Sequence, residues 1–137
     1  MGASIQELQL FIDAWKETGE NNKKAFVQLK ASLEAKDGVR LEYNPRPGVT
    51  YSLRATHRHQ QQRALFVMVD VIEDDPRWLS VCFYGEMITD PEEQGDFVPE
   101  GLLGEDAICF DIEQYDGALL QYVESRLDEA YQSAVNE

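Results

Sequence analysis

The chain reads as an α+β domain: an N-terminal helical hairpin, a five-stranded, mainly antiparallel meander sheet, and a C-terminal helix, with the helices packed on one sheet face. Three observations carry that reading. Apolar residues recur at helical spacing at both ends of the chain, and between them the period falls to two. The links between the period-two segments are short, whereas parallel neighbours need crossovers of about a dozen residues or more. Helices that flank an uninterrupted run of strands then belong together on one side of the sheet.

Ser4-Ile5-Gln6-Glu7 has the form of a capping box, and Ile5, Leu8, Phe11, Ile12 and Trp15 follow at helical spacing. Thr18-Gly19 closes that helix, because glycine accepts the left-handed backbone past a C-terminus. A second helix starts at Asn21 or Asn22, either of which suits a cap, and it carries Ala25, Phe26, Leu29 and Leu33 as far as Asp37-Gly38. Val39, Leu41 and Tyr43 alternate with polar residues as a first strand, and Asn44-Pro45-Arg46-Pro47-Gly48 is expected to break it. Tyr51, Leu53 and Ala55 mark the second strand, with a polar turn from His57 to Gln62.

Ala64 to Ile72 is nearly all apolar and reads as a central strand buried on both faces. Asp74-Asp75-Pro76 is a turn signal. Trp78 to Ile88 reads as the fourth strand, Thr89 to Gly104 as a long loop, and Ala107 to Ile112 as the fifth strand. Asp116 suits the cap of a last helix bearing Leu119, Leu120, Val123, Leu127, Ala130 and Ala134. With 137 residues and a 43% hydrophobic fraction, the expectation is one domain over 1–137.

Charge is distributed unevenly. Met1 to Arg77 holds 11 acids and 11 bases; Trp78 to Glu137 holds 15 acids and one base, Arg126, which accounts for the whole net charge of −14. Phosphate backbones and anionic membranes both call for a basic face, so neither nucleic acid nor membrane is an expected partner. No run approaches the ~20 apolar residues of a membrane span. The start has neither the basic region nor the apolar run of a signal peptide. Cys82 and Cys109 lie in apolar strands, where reduced thiols are expected, and together these features suggest the cytoplasm.

Period two also divides each strand between two faces. Leu65, Val67, Val69 and Val71, then Leu79, Val81, Phe83 and Met87, then Ile108, Phe110 and Ile112 form aliphatic sets suited to lie under helices. The opposite sets form a mixed face of Phe66, Met68, Asp70, Trp78, Ser80, Cys82, Tyr84, Glu86, Cys109 and Asp111. Aromatic and sulfur residues with few polar groups suit a protein interface or a ligand pocket, although a partly wet outer sheet face has a similar composition. Asp70 is the most suggestive residue, since a carboxylate within an apolar strand must be paired or hold its proton. With Trp78, Ser80, Tyr84 and Glu86 it forms the candidate ligand-binding set. Arg54 is a candidate partner for it, and the arginines between residues 40 and 77 are candidates to neutralise the acidic half.

Other chemistry is weakly signalled. His57-x-His59 offers two imidazoles and no third, and Asp90 to Asp96 lacks the spacing of a calcium loop. A nucleophilic cysteine needs an electropositive setting that Cys82 and Cys109 lack. No catalytic set, metal site or cofactor is therefore expected.

In outline, the element order is similar to the frataxin-like arrangement, and the size and acidity resemble small secretion chaperones. The first likeness implies iron binding by acids clustered on the first helix; here that helix offers Glu7, Asp13 and Glu17, offset by Lys16. The second implies a helix between strands three and four, where this chain has only Glu73 to Pro76. No motif accompanies either likeness, and outline alone does not give function. The residues themselves favour a non-catalytic interaction or regulatory module that uses its acidic C-terminal half or its mixed sheet face to bind a protein partner or, as a homodimer, its own copy. The alternative is a small-molecule binder or small enzyme with a pocket around Asp70.

Overall fold

Among the residues described by this computed structural model, 5–137, three helices and six strands follow the order α1 (Ile5–Ala14), α2 (Asn22–Glu34), β1 (Val39–Arg46), β2 (Thr50–His57), β3 (Val67–Ile72), β4 (Trp78–Tyr84), β5 (Asp96–Leu102), β6 (Glu105–Ile112) and α3 (Gly117–Val135). The expected Ser4 cap lies outside the described residues. The sheet order is β1-β2-β3-β4-β6-β5, with every neighbouring pair antiparallel. The α+β class is as expected. The sheet has six strands where five were expected, and the extra one takes the outer edge.

That extra strand, β5, lies inside the segment read as a loop. Six of its seven residues are exposed, so no buried face imposes an apolar alternation on its sequence. Backbone pairing to β6 holds it instead, with a bulge between Val98 and Leu102. At the other edge, β1 runs through Asn44-Pro45-Arg46 rather than stopping there. Proline is tolerated on an edge strand, where its missing N–H need have no ladder partner. Pro99 occupies the opposite edge strand in the same way.

Two further expectations change. β3 is not buried on both faces: Val67, Val69 and Val71 are fully buried, while Met68, Asp70 and Ile72 are intermediate. The fourth strand ends at Tyr84 in a 3-10 turn over Gly85–Met87, short of Ile88. The turn at Gly38 behaves as read. Its φ of 77° suits glycine, and a Cβ there would lie 2.5 Å from the His57 ring.

All three helices lie over the aliphatic side. Leu8 and Ile12 of α1, Ala25, Phe26, Leu29 and Leu33 of α2, and Leu120, Val123, Leu127, Ala130 and Ala134 of α3 share one core with Leu53, Val69, Val81 and Phe110. Phe66 belongs to this core rather than to the mixed face. It precedes the first residue of β3, and its ring lies 6.1 Å from Tyr131 of α3. Asp116 caps α3 as expected, accepting from the N–H groups of Ala118 and Leu119.

Helix α2 starts differently. Asn21 adopts a left-handed conformation and makes no side-chain cap. The buried Asn22 amide instead donates to the carbonyl oxygens of Arg77 (2.8 Å) and Glu113 (3.0 Å). One side chain thus joins the start of α2 to the entry of β4 and the exit of β6. Asn22→Asp is nearly isosteric, yet it replaces both donors by an acceptor facing two carbonyl oxygens. The expected loss in urea unfolding is about 2–4 kcal/mol, larger than for Asn22→Ala.

Helix α1 is fastened by Arg77. Its guanidinium lies 5.0 Å from the Phe11 ring, 5.6 Å from Trp15 and 5.0 Å from Tyr51. It donates twice to Glu73, at 3.1 and 2.9 Å, and the Tyr51 hydroxyl donates to the same carboxylate at 2.9 Å. The Arg77 hydrogen bonds hold Glu73 below its ordinary carboxylate range. Removing this node by Arg77→Ala is expected to cost on the order of 2 kcal/mol through cation–π contact and packing. A carboxylate held low in the fold stabilises it above its ordinary pKa and loses that contribution as the pH falls through the lowered value. The gap between wild type and Arg77→Ala in urea melts should therefore narrow in acid.

Candidate functional site: the helix-free face of the sheet

Alternation along the strands and register between them define the second face. Opposite residues in neighbouring strands point the same way, so rows of side chains run across the sheet. One row is Asn44, Ser52, Asp70, Ser80 and Asp111, joined partner to partner over five strands. The next is Glu42, Arg54, Met68, Cys82, Cys109 and Asp96 over all six. Arg46, Thr50, Ile72 and Trp78 form a third. Among the described residues no helix lies on this side.

The polar row is incompletely satisfied. Asn44 Nδ2 and Asp70 Oδ1 are buried atoms with no hydrogen-bond partner among the described residues. Burial pushes the Asp70 carboxyl up, while the Ser52 hydroxyl, then Arg54 and Arg46, favour its charged form. Asp70 thus lies mid-strand and partly desolvated, beside arginines that form no ion pair with it within 4.0 Å. Asp111, at the far end of the row, is also pushed up, by burial first and then by Asp96 and Glu113.

Charge divides across the face. Arg40, Arg46 and Arg54, with Glu42, belong to β1 and β2; Asp111 and Asp96 belong to β6 and β5 at the opposite end. Strand order therefore separates most of the arginines from the acidic half. The exception is Arg63, which pairs with Glu86 at 2.6 Å, approaches Glu105 at 3.9 Å, and lies 5.2 Å from the Tyr84 ring.

The five candidate ligand residues are not all brought together. Asp70 and Ser80 are direct cross-strand partners, and Trp78 is one row away. Tyr84 lies four residues beyond Ser80, about 13 Å along the strand. It lines a cleft of about 480 Å³ with Glu86, Arg63, Phe97 and Glu105. Trp78 lines a shallower cleft of about 250 Å³ with Glu20, Asp74, Pro76 and Glu113. A cleft of similar size, about 490 Å³, lies between the Asp90 loop and α3, lined by residues such as Gln94, Tyr122 and Arg126. None of these cavities includes Asp70 or Ser80.

Asn44 and Ser52 belong to the site although neither drew notice in the sequence, since only register places them in line with Asp70. The two cysteines also gain from register: Cys82 and Cys109 are cross-strand partners, with 6% and 8% exposure.

The weaker candidates are occupied by local structure. His57 is buried, its Nδ1 accepts from the His59 N–H at 3.1 Å, and the rings stand 4.7 Å apart. Asp90 accepts from the N–H groups of Gln94 (3.0 Å) and Gly95 (2.9 Å) and from the Tyr122 hydroxyl. Among the described residues no three His, Cys, Asp or Glu side chains cluster as metal ligands, and no helix is long and apolar enough to cross a membrane. Compared with protein-family models, curated proteins and solved structures, the chain finds no match.

Because the folded pKa of Asp70 is raised, the folded protein holds that proton more tightly than the unfolded chain. Its charged form then costs stability once the pH climbs above the ordinary Asp value of about 3.9. Asp70→Asn is expected to raise the melting temperature by a few degrees near neutral pH, and the gain should vanish below about pH 3.5. An equal gain at both pH values would show that charge at Asp70 is not what costs stability.

Proposed function

We propose that the protein is a non-catalytic interaction module whose helix-free sheet face docks a protein surface, and that the occupant this face fits best is a second copy of the chain. The supporting observation is the charge division across the face. A two-fold axis parallel to the strands, between β3 and β4, lays β2 of one copy over β6 of the other and β1 over β5. The arginine-bearing end then meets the aspartate-bearing end in both directions, as an isologous interface requires. Rows stay level in that arrangement, so Arg54 comes over Cys109 and Glu42 over Asp96 of the second copy, and Asp111 lies one row from Arg54, about 7 Å along the strands, within the reach of its long side chain. Near the axis lie Met68, Ile72 and Trp78, partly buried apolar residues, with Asp70 and Ser80 between them.

The unpartnered Asn44 and Asp70 atoms support the same reading, since buried polar groups ordinarily find partners. Size sets the expected strength. Six strands at ~4.8 Å spacing and about seven residues of strand length give roughly 500 Å² per copy, about 1,000 Å² in all. That is the low end of specific interfaces, so association should be weak and strongly salt-dependent.

Light scattering against concentration tests the reading. The mass is expected to rise toward a dimer at low salt and return to the monomer in high salt. Trp78→Asp should abolish the rise. Arg54→Asp should weaken it, and Arg54→Asp combined with Asp111→Arg should restore it. A monomer throughout, with a metabolite raising the melting temperature only when Asp70 is intact, would overturn this reading in favour of a small-molecule site.

A further inference from the structure

The cysteine pair carries a second inference, which stands on register and does not rest on the docking reading. Cys82 of β4 and Cys109 of β6 are direct partners in an antiparallel pair. Such partners have Cα atoms about 4.5 or 5.5 Å apart, according to whether they fall at a non-hydrogen-bonded or hydrogen-bonded site. Both spacings fall within the roughly 4.4–6.8 Å between Cα atoms that a disulfide spans. Both side chains point to the same, helix-free face, opposite each other across the two strands. The Ser80 hydroxyl lies 3.5 Å from Cys82 Sγ. Both residues are free thiols.

The two thiols are not equivalent. The neighbouring Cys109 lowers the Cys82 pKa against burial and the nearby Asp70 and Asp111, while Cys82 and burial push the Cys109 thiol up. Of the two, Cys82 is therefore the one that gives up its proton more readily. A thiol that ionises the more readily, with a second thiol opposite it across the strands, is the arrangement that thiol–disulfide exchange uses.

We propose that Cys82 and Cys109 form a dithiol that closes into a cross-strand disulfide by exchange with a low-molecular-weight disulfide of the glutathione class. Cys82 Sγ attacks one sulfur of oxidised glutathione; that S–S bond breaks, one glutathione thiol leaves, and Cys82 holds the other as a mixed disulfide. Cys109 gives up its proton and attacks Cys82 Sγ, which expels the second glutathione. Two protein thiols are oxidised, one glutathione disulfide is reduced, and the two thiol protons end on the two glutathione molecules. The product is a covalent rung between β4 and β6 in the middle of the open face.

The test incubates the full chain in glutathione buffers of graded oxidised-to-reduced ratio, then alkylates free thiols and measures intact and digested masses. The expected result is a monomeric chain that has lost both free thiols and gained no glutathione. Its digest should join the Cys82 and Cys109 peptides, and its melting temperature should rise by several degrees over the reduced chain. Cys109→Ser should accumulate the glutathione adduct on Cys82, and Cys82→Ser should react more slowly at Cys109. Three outcomes would overturn the proposal: both thiols of the native chain still alkylated in the most oxidising buffer, stable glutathione adducts on wild type without ring closure, or joined peptides found only between chains.

Discussion

Strand register is the constraint on which everything else in this structure depends. A slip of one residue between two strands would exchange every side chain between the core and the open face. The aliphatic set of Val69, Val81 and Phe110 would then lose its helices, and Asp70 and Ser80 would be forced beneath them. Register is secured at one end of the strands, around Arg77. Asn22 ties the entry of β4 to the exit of β6, while Tyr51 of β2, Glu73 just past β3 and Arg77 just before β4 form one bonded cluster under Phe11. The polar row and the cysteine pair are consequences of that alignment, not separately encoded features.

Much of the fold was legible because burial leaves a trace in composition. The core faces of β2, β3, β4 and β6 must be apolar every second residue, and the helices must be apolar every third or fourth, so these elements show in the pattern. β5 did not show because nothing is buried against six of its seven residues; its edge position is paid for by backbone pairing, which any sequence can supply. Pro45 misled for a related reason: its effect depends on whether its strand lies at an edge, and strand order is not local information. Alternation placed Met68, Asp70, Trp78, Ser80, Cys82, Cys109 and Asp111 in the rows of the helix-free face, but it was extended past both strand ends: Phe66, before β3, belongs to the core, and Glu86 lies in the 3-10 turn beyond β4. What could not be read was which of them align. Ser80 and Asp70 are ten residues apart and touch in register, whereas Ser80 and Tyr84 are four apart and lie at different ends of the face.

The uneven charge along the chain has a spatial counterpart. Since β6 and β5 follow β4 outward and β1 and β2 lie on the other side, a division in sequence becomes a division across the sheet. Among the described residues, Arg63, carried on the segment before β3, is the arginine that reaches acids of the later half near the face, at Glu86 and Glu105. The face is thus polarised while its centre remains weakly polar, which distinguishes it from a uniformly acidic surface that would simply repel its own copy.

Both outer strands contain a proline, and β5 adds a bulge together with left-handed backbone at Glu100. Fibrillar aggregation grows by adding strands to a free edge, each new rung needing a row of unobstructed N–H and C=O groups. On β1 such a row is limited to the six residues Val39–Asn44 before Pro45, and on β5 Pro99 and the bulge interrupt it. Growth by strand addition therefore meets a short row at one margin and a broken one at the other.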